Sequence, residues 1–207
     1  MRPSSIRAMT GAAVVSMLAQ PAAVHHVMGG VLPANFLQGL LSGLGHPVIG
    51  IDHLAAVVAV GCLAAAHRFG AALAIGFVVA MMIGVAVHVG EATLPANEIL
   101  AALAVVVLGA ALIRPRRLHP AIALVLFTAA GFLHGYALGE SIVGAEPAPL
   151  LAYFVGLALI QSAIALGALF VVRAVSARGE PALARLVGAG VAGLGFALLV
   201  QQLAPGV

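Results

Sequence analysis

The chain has 207 residues, of which 63% are hydrophobic and only 7% charged, and its mean hydropathy is +1.20. A soluble domain of this size cannot hide so much apolar surface, so the class is an all-α integral membrane protein. The nine basic residues are all arginines and none forms a dense cluster, which sets nucleic acid aside and leaves them as a topology signal. Cys62 is the single cysteine, so neither an internal disulfide nor a multi-thiolate metal site can form within the chain.

Residues Met1 to Ala23 read as a targeting segment. Arg2 and Arg7 make a positive start, Gly11 to Ala19 a short and mostly apolar run, and Gln20-Pro21-Ala22-Ala23 a cleavage region with small residues. The alternative is retention as an extra N-terminal transmembrane helix. In either case residues 24–207 are expected to form a single transmembrane domain. Cleavage after Ala22 or Ala23 would make His25 or His26 the third residue, where a free amine and an imidazole can chelate Ni(II) or Cu(II) in a plane. Otherwise these are two exposed histidines near a terminus.

Pro33 to Leu44 carries Leu37, Leu40, Leu41 and Leu44 at helical spacing, but about twelve residues cannot cross a hydrocarbon core that needs about twenty. The expectation is a short surface-lying or re-entrant half-helix ended by Gly43 and Gly45. Pro47 suits a first helical position, and Pro47–Ala66 then gives one membrane thickness, about 30 Å. Five further segments obey the same rule: Gly70–Val89, Ala96–Ile113, Pro120–Leu138, Leu150–Val172 and Ala182–Gln202. The expected architecture is thus a bundle of six transmembrane helices preceded by the half-helix.

Loop charges orient it. Arg68, then Arg114, Arg116 and Arg117, then Arg173 and Arg178 lie in the odd-numbered loops; Glu91, Glu98, Glu140 and Glu146 lie in the even-numbered ones. The positive-inside rule puts the odd loops in the cytoplasm. In a bacterial inner membrane, both the mature N-terminus and the C-terminus are then periplasmic.

On that topology the ionisable residues segregate. His46, Asp52 and His53 fall at the outer start of helix one, His88 and Glu91 at the outer end of helix two, His134 and Glu140 near the outer end of helix four. His67 and His119 fall at the cytoplasmic side, as helix-end residues. Gly76, Ala80, Gly84 and His88 form a small-residue stripe that should turn His88 toward the bundle. An ionisable group inside a bilayer costs at least about 2.5–3.5 kcal/mol, so a cluster of them needs a reason. Imidazole with carboxylate and no thiolate suits Ni, Co, Zn or Cu(II). The metal candidates are His46, Asp52, His53, His88 and His134, with Glu91, Glu140, His25 and His26 as further ones. Tyr136, Gln161, Gln201 and Gln202 are weaker candidates for supporting contacts.

His46-Pro47-x-x-Gly50-x-Asp52-His53, placed just before a membrane helix, resembles the signature of the HupE/UreJ family. Phe132-Leu133-His134-Gly135-Tyr136-Ala137-Leu138-Gly139-Glu140 looks like that family's second, His-Gly-containing motif, with Tyr136 where members often carry another histidine. The resemblance covers the chain after the leader. It implies a bacterial permease for nickel or cobalt as the transported substrate, without a prosthetic group, in a lipid bilayer, with a functional link to hydrogenase or urease maturation. A homo-oligomer is compatible with it. No GxxxxGK[ST] segment is present, so a secondary permease rather than an ATPase is expected. Because imidazole must be deprotonated to bind metal, uptake should fall below about pH 6. Two rival readings are a membrane-embedded metal-dependent hydrolase, for which the chain offers no HExxH, and a metal-binding accessory protein without transport.

Overall fold

A computed structural model describes residues 31–114, 117–177 and 182–204. The proposed leader, with His25 and His26, lies outside these residues, as do Arg116 and Arg178. The described chain is helical in α1 (Phe36–Ile49), α2 (Ile51–Ala64), α3 (Gly70–Val89), α4 (Asn97–Ile113), α5 (Pro120–Gly139), α6 (Pro147–Ala177) and α7 (Ala182–Leu203), with a 3₁₀ turn at Glu140–Ile142. Helices α3, α5, α6 and α7 are long and apolar enough to cross a bilayer, and a fifth span exists if the bent pair α1–α2 counts as one. Helix α4 is apolar but has 17 residues, a rise of about 26 Å. The chain is therefore a multi-pass helical membrane protein with four or five full spans by this measure, against the six expected from the sequence.

Residues 33–66 depart most from expectation. The half-helix does not end at Gly43 and Gly45, and the next helix does not begin at Pro47. Helix α1 runs through all three to Ile49, and α2 leaves it at an angle of 78°. The break falls at Gly50, whose backbone is extended (φ −75°, ψ 97°). Gly43 stays helical because it is needed for close packing: a methyl there would meet the backbone of Tyr153. Pro47, two residues before the helix ends, removes one main-chain bond, the one to Gly43, rather than breaking the helix. The start of α1 is fixed by a reciprocal cap. Asn35 Oδ1 accepts from the Gln38 amide at 3.0 Å and Gln38 Oε1 accepts from the Ala34 amide at 2.8 Å.

Helix packing shows a repeat that the residue types conceal. Methyl groups at Gly39 and Gly43 of α1 would fall on the carbonyl oxygens of Pro149 and Tyr153 in α6; at Gly131 and Gly135 of α5 they would fall on those of Phe77 and Met81 in α3. In return, Gly156 of α6 faces the Leu40 carbonyl and Leu44 amide, as Gly84 of α3 faces the Phe132 carbonyl and Tyr136 amide. Helices α4 and α7 complete the pattern, Gly109 meeting the Ala192 amide and Gly195 the Val106 amide. The contacts advance together along α1 and α6, and along α3 and α5, so each of these pairs is parallel; α4 and α7 are antiparallel. The first half (α1–α4) and the second (α5–α7) thus pack by one repeated pattern of glycine contacts. Gly76 does not take part in this packing, contrary to the expected stripe: nothing among the described residues lies within 4 Å of a methyl placed on it.

The two ends of the bundle differ chemically. At one end Arg117 Nη1 donates to the Ala66 carbonyl (3.2 Å), and Arg173 donates from Nε to Ala65 (3.2 Å) and from Nη2 to His67 (2.7 Å). These guanidinium groups satisfy the carbonyls just past α2, where a helix leaves acceptors unpaired. His67 is buried there, and burial together with nearby Arg117 holds its imidazole below the ordinary range. His119 is exposed and caps α5, its Nδ1 accepting from the Ala121 amide at 3.3 Å. A cleft of about 370 Å³ at this end is lined by Arg114, Arg117, Arg173 and Arg185, an unfavourable place for a cation. The glutamates Glu91, Glu98, Glu140 and Glu146 lie at the other end, all exposed.

Candidate metal centre

The break at Gly50 builds the site. It ends α1 with His46 in the last turn and begins α2 with Asp52 in the first. The negative end of the α1 dipole is thereby aimed at the break, and Asp52 covers the positive end of α2, so the local field favours a cation. A methyl on Gly50 would lie 2.7 Å from His53 Cδ2, so glycine is what lets the imidazole fold back against the turn.

Three residues from the two halves meet there. His53 Nδ1 and His134 Nδ1 are 3.0 Å apart, and His53 Nδ1 lies 3.5 Å from Asp52 Oδ2. All three residues offer ligand atoms within 4.8 Å of one another. The rings of His53 and His134 stand nearly perpendicular, with centroids 5.2 Å apart. His134 is fully enclosed and its Nε2 has no hydrogen-bond partner among the described residues, a state that costs about 1–3 kcal/mol for a buried polar group. Asp52 keeps 27% of its side-chain surface open and so forms the accessible edge of the cluster.

The 3.0 Å separation has chemical content. In the ligand-free protein one Nδ1 must carry a proton and the other accept it. Two nitrogens each about 2.1 Å from one ion would lie about 3.0 Å apart at a right angle and about 3.4 Å apart at a tetrahedral angle. The spacing therefore matches adjacent positions of a square-planar or octahedral ion, although the rings, which point head-on at each other in the hydrogen-bonded pair, would have to swing to aim both lone pairs at it.

The other candidates are placed differently. His46 is buried with its ring centroid 6.2 Å from that of His53 and edge-on to Tyr153 at 6.5 Å. His88 is not brought into the cluster. Its Nδ1 donates to the Tyr136 carbonyl at 2.6 Å and its ring packs on that of Tyr136 at 4.3 Å. The Tyr136 hydroxyl in turn donates to the Ala92 carbonyl and accepts from the Leu94 amide, at 2.8 and 2.9 Å. This pair clamps the loop between α3 and α4, in which Glu91 and Ala96 hold positive φ angles of 62° and 58°. Glu91 and Glu140 are exposed and outside the group.

Tyr153 is a neighbour that sequence reasoning missed. It is fully buried, its hydroxyl donates to the Leu138 carbonyl at 2.9 Å, and Ser141 Oγ contacts it at 3.3 Å. It ties α6 to the end of α5 while its ring walls His46. Its sequence signal is slender: one of two tyrosines, set in an otherwise apolar helix.

The fold and the site together define a multi-pass helical membrane protein with a buried imidazole–carboxylate cluster of metal-binding character. The model of the HupE / UreJ protein family matches residues 13–198. The chain belongs to that family, a transporter-type family associated with nickel and cobalt. No curated protein and no solved structure matches the chain.

Proposed function

We propose that the protein is a secondary permease that imports a divalent transition metal, nickel or cobalt, across the bacterial inner membrane. The observation that carries this reading is the His53–His134 pair, 3.0 Å apart with Asp52 beside it, contributed by two halves that share one pattern of glycine contacts. Transporters built from internal repeats bind their cargo at the repeat interface, beside broken helices whose ends face the ion. In this reading α4 and the α1–α2 pair also cross, giving six spans, and the arginine end is cytoplasmic. His134 lies five residues before the end of α5, so the site sits about 8 Å below the periplasmic surface of the bundle. The ion enters past Asp52, which supplies charge, and is taken by His53 and His134, with His46 at the rim.

Nickel or cobalt flux into proteoliposomes tests the proposal. Wild-type protein should give saturable uptake that declines in acid, because a protonated imidazole cannot bind the ion. His53→Ala and His134→Ala should lower it at least about 100-fold, since each removes a ligand outright. Wild-type vesicles no more permeable than empty ones, or uptake undiminished in both variants, would reject transport through this site.

A further inference from the structure

The arginine end carries more positive charge than its own acids can neutralise. Of the nine arginines, all but Arg2 and Arg7 belong by sequence to its loops and the helix ends beside them, against one acidic residue, Glu180. Glu180 lies outside the described residues. Membrane orientation accounts for basic loops, but not for where four of these side chains go. Arg114 at the end of α4, Arg117 before α5, Arg173 in α6 and Arg185 in α7 line one cleft of about 370 Å³. That volume falls in the range of small-ligand sites, about 300–1,000 Å³.

Two of the four are held in place. Arg173 donates to the carbonyls of Ala65 and His67, and Arg117 to that of Ala66. A guanidinium has about five N–H donors, so both keep others to offer. Arg114 and Arg185 make no hydrogen bond or ion pair with another described residue, and no described carboxylate pairs with any of the four. His67, which also lines the cleft, registers the excess: burial first, and then the charge of Arg117, holds its imidazole below the ordinary range. Like charges gathered round one opening repel one another unless an anion sits among them.

We propose that this cleft binds a phosphate-bearing anion, gripped by the four guanidinium groups. The planar guanidinium matches two phosphate oxygens with two parallel N–H bonds, and Ser176 in the lining adds a hydroxyl. Much of the remaining lining is apolar, with Leu63, Leu112 and Val172. A basic, partly apolar pocket between the ends of membrane helices fits the headgroup of an anionic phospholipid, and a soluble phosphate offers the same oxygens. The site stands apart from the His53–His134 pair and does not depend on the transport reading.

The test titrates purified full-length protein in nonionic detergent, by calorimetry, with short-chain phosphatidylglycerol, with inorganic phosphate, and with short-chain phosphatidylcholine, whose headgroup has no net charge. Saturable binding is expected for phosphatidylglycerol or phosphate, and weaker binding for phosphatidylcholine. Arg114→Gln and Arg185→Gln should each lower that affinity about fivefold, with the melting temperature of the unliganded protein unchanged. Arg68→Gln removes the same charge at the same end but outside the cleft, where its guanidinium lies 4.1 Å over the Phe69 ring. It should keep the affinity within about twofold of wild type. Binding of phosphatidylglycerol alone identifies a lipid headgroup; comparable binding of inorganic phosphate identifies a soluble anion. Failure of both anions to bind, or phosphatidylcholine binding equally well, overturns the assignment. An equal loss in Arg68→Gln also overturns it, since binding would then be diffuse attraction to a positive surface.

Discussion

Helix α1 on α6 and helix α5 on α3 are the same joint used twice. Each rests two glycines, four residues apart, on two carbonyl oxygens of its partner, and each partner returns one glycine to the same pair of backbone atoms. Past the joint the two helices diverge. Helix α5 runs on unbroken past His134 to Gly139, whereas α1 stops at Ile49 and turns by 78° into Asp52 and His53. The packing is symmetric and the chemistry is not. At the position in α1 that corresponds to His134, counting from Gly43 against Gly135, the chain carries Ser42. Symmetry builds the frame, and one glycine break on one side of it sets the ligands from the two halves face to face.

Breaking the joints themselves should have the largest effect. Gly43→Val and Gly135→Val each drive a branched side chain into a neighbouring backbone, at Tyr153 and Met81 respectively. Overpacking of this kind costs about 1–3 kcal/mol or more. Thermal melts in detergent should show both variants strongly destabilised and by similar amounts; a loss confined to one of them would argue against equivalence of the two joints.

Gly50→Ala probes the asymmetric part. The new methyl would contest the space held by His53 Cδ2 at 2.7 Å, displacing a ligand by several tenths of an ångström while leaving both joints intact. Calorimetric titration with nickel should show affinity reduced on the order of tenfold, with the melting temperature little changed. Unaltered affinity would mean that the break does not position His53.

The smallest effect is expected at Gly76, whose added methyl meets nothing within 4 Å among the described residues. Gly76→Ala should leave ion binding unchanged and raise stability by up to about 1 kcal/mol through helix propensity alone. Destabilisation comparable to Gly135→Val would restore the packing stripe that the structure sets aside.

These contrasts also explain what is legible in the sequence. Long apolar stretches mark their own lengths, so the bounds of Gly70–Val89 are found as expected and those of the helix after Pro120 differ by one residue. The break is misplaced by sequence because Gly43, Gly45 and Pro47 all look like helix breakers in one dimension. All three stay helical, and at Gly43 the reason is tertiary, the close approach of α6, which no local pattern records. The histidines stand out by their expense in a membrane, but which pair meets does not. His88 takes the expected face, yet its imidazole is claimed by the Tyr136 carbonyl. The repeat is hidden because equivalent positions mostly differ in type, Leu44 against Tyr136 and Ser42 against His134, while Gly39 and Gly43 agree with Gly131 and Gly135. Gln161 is a weak signal as an amide in a membrane helix, and its lack of a hydrogen-bond partner among the described residues becomes visible only once the neighbouring helices are in place.

In the proposed site one ion is held jointly by the two halves, through His53 on one side and His134 on the other. X-ray absorption at the nickel or cobalt edge, recorded on the loaded protein and on His134→Ala, tests it most directly. Wild type should scatter from at least two imidazoles, and the variant from one fewer. An imidazole count that His134→Ala leaves unchanged would contradict it.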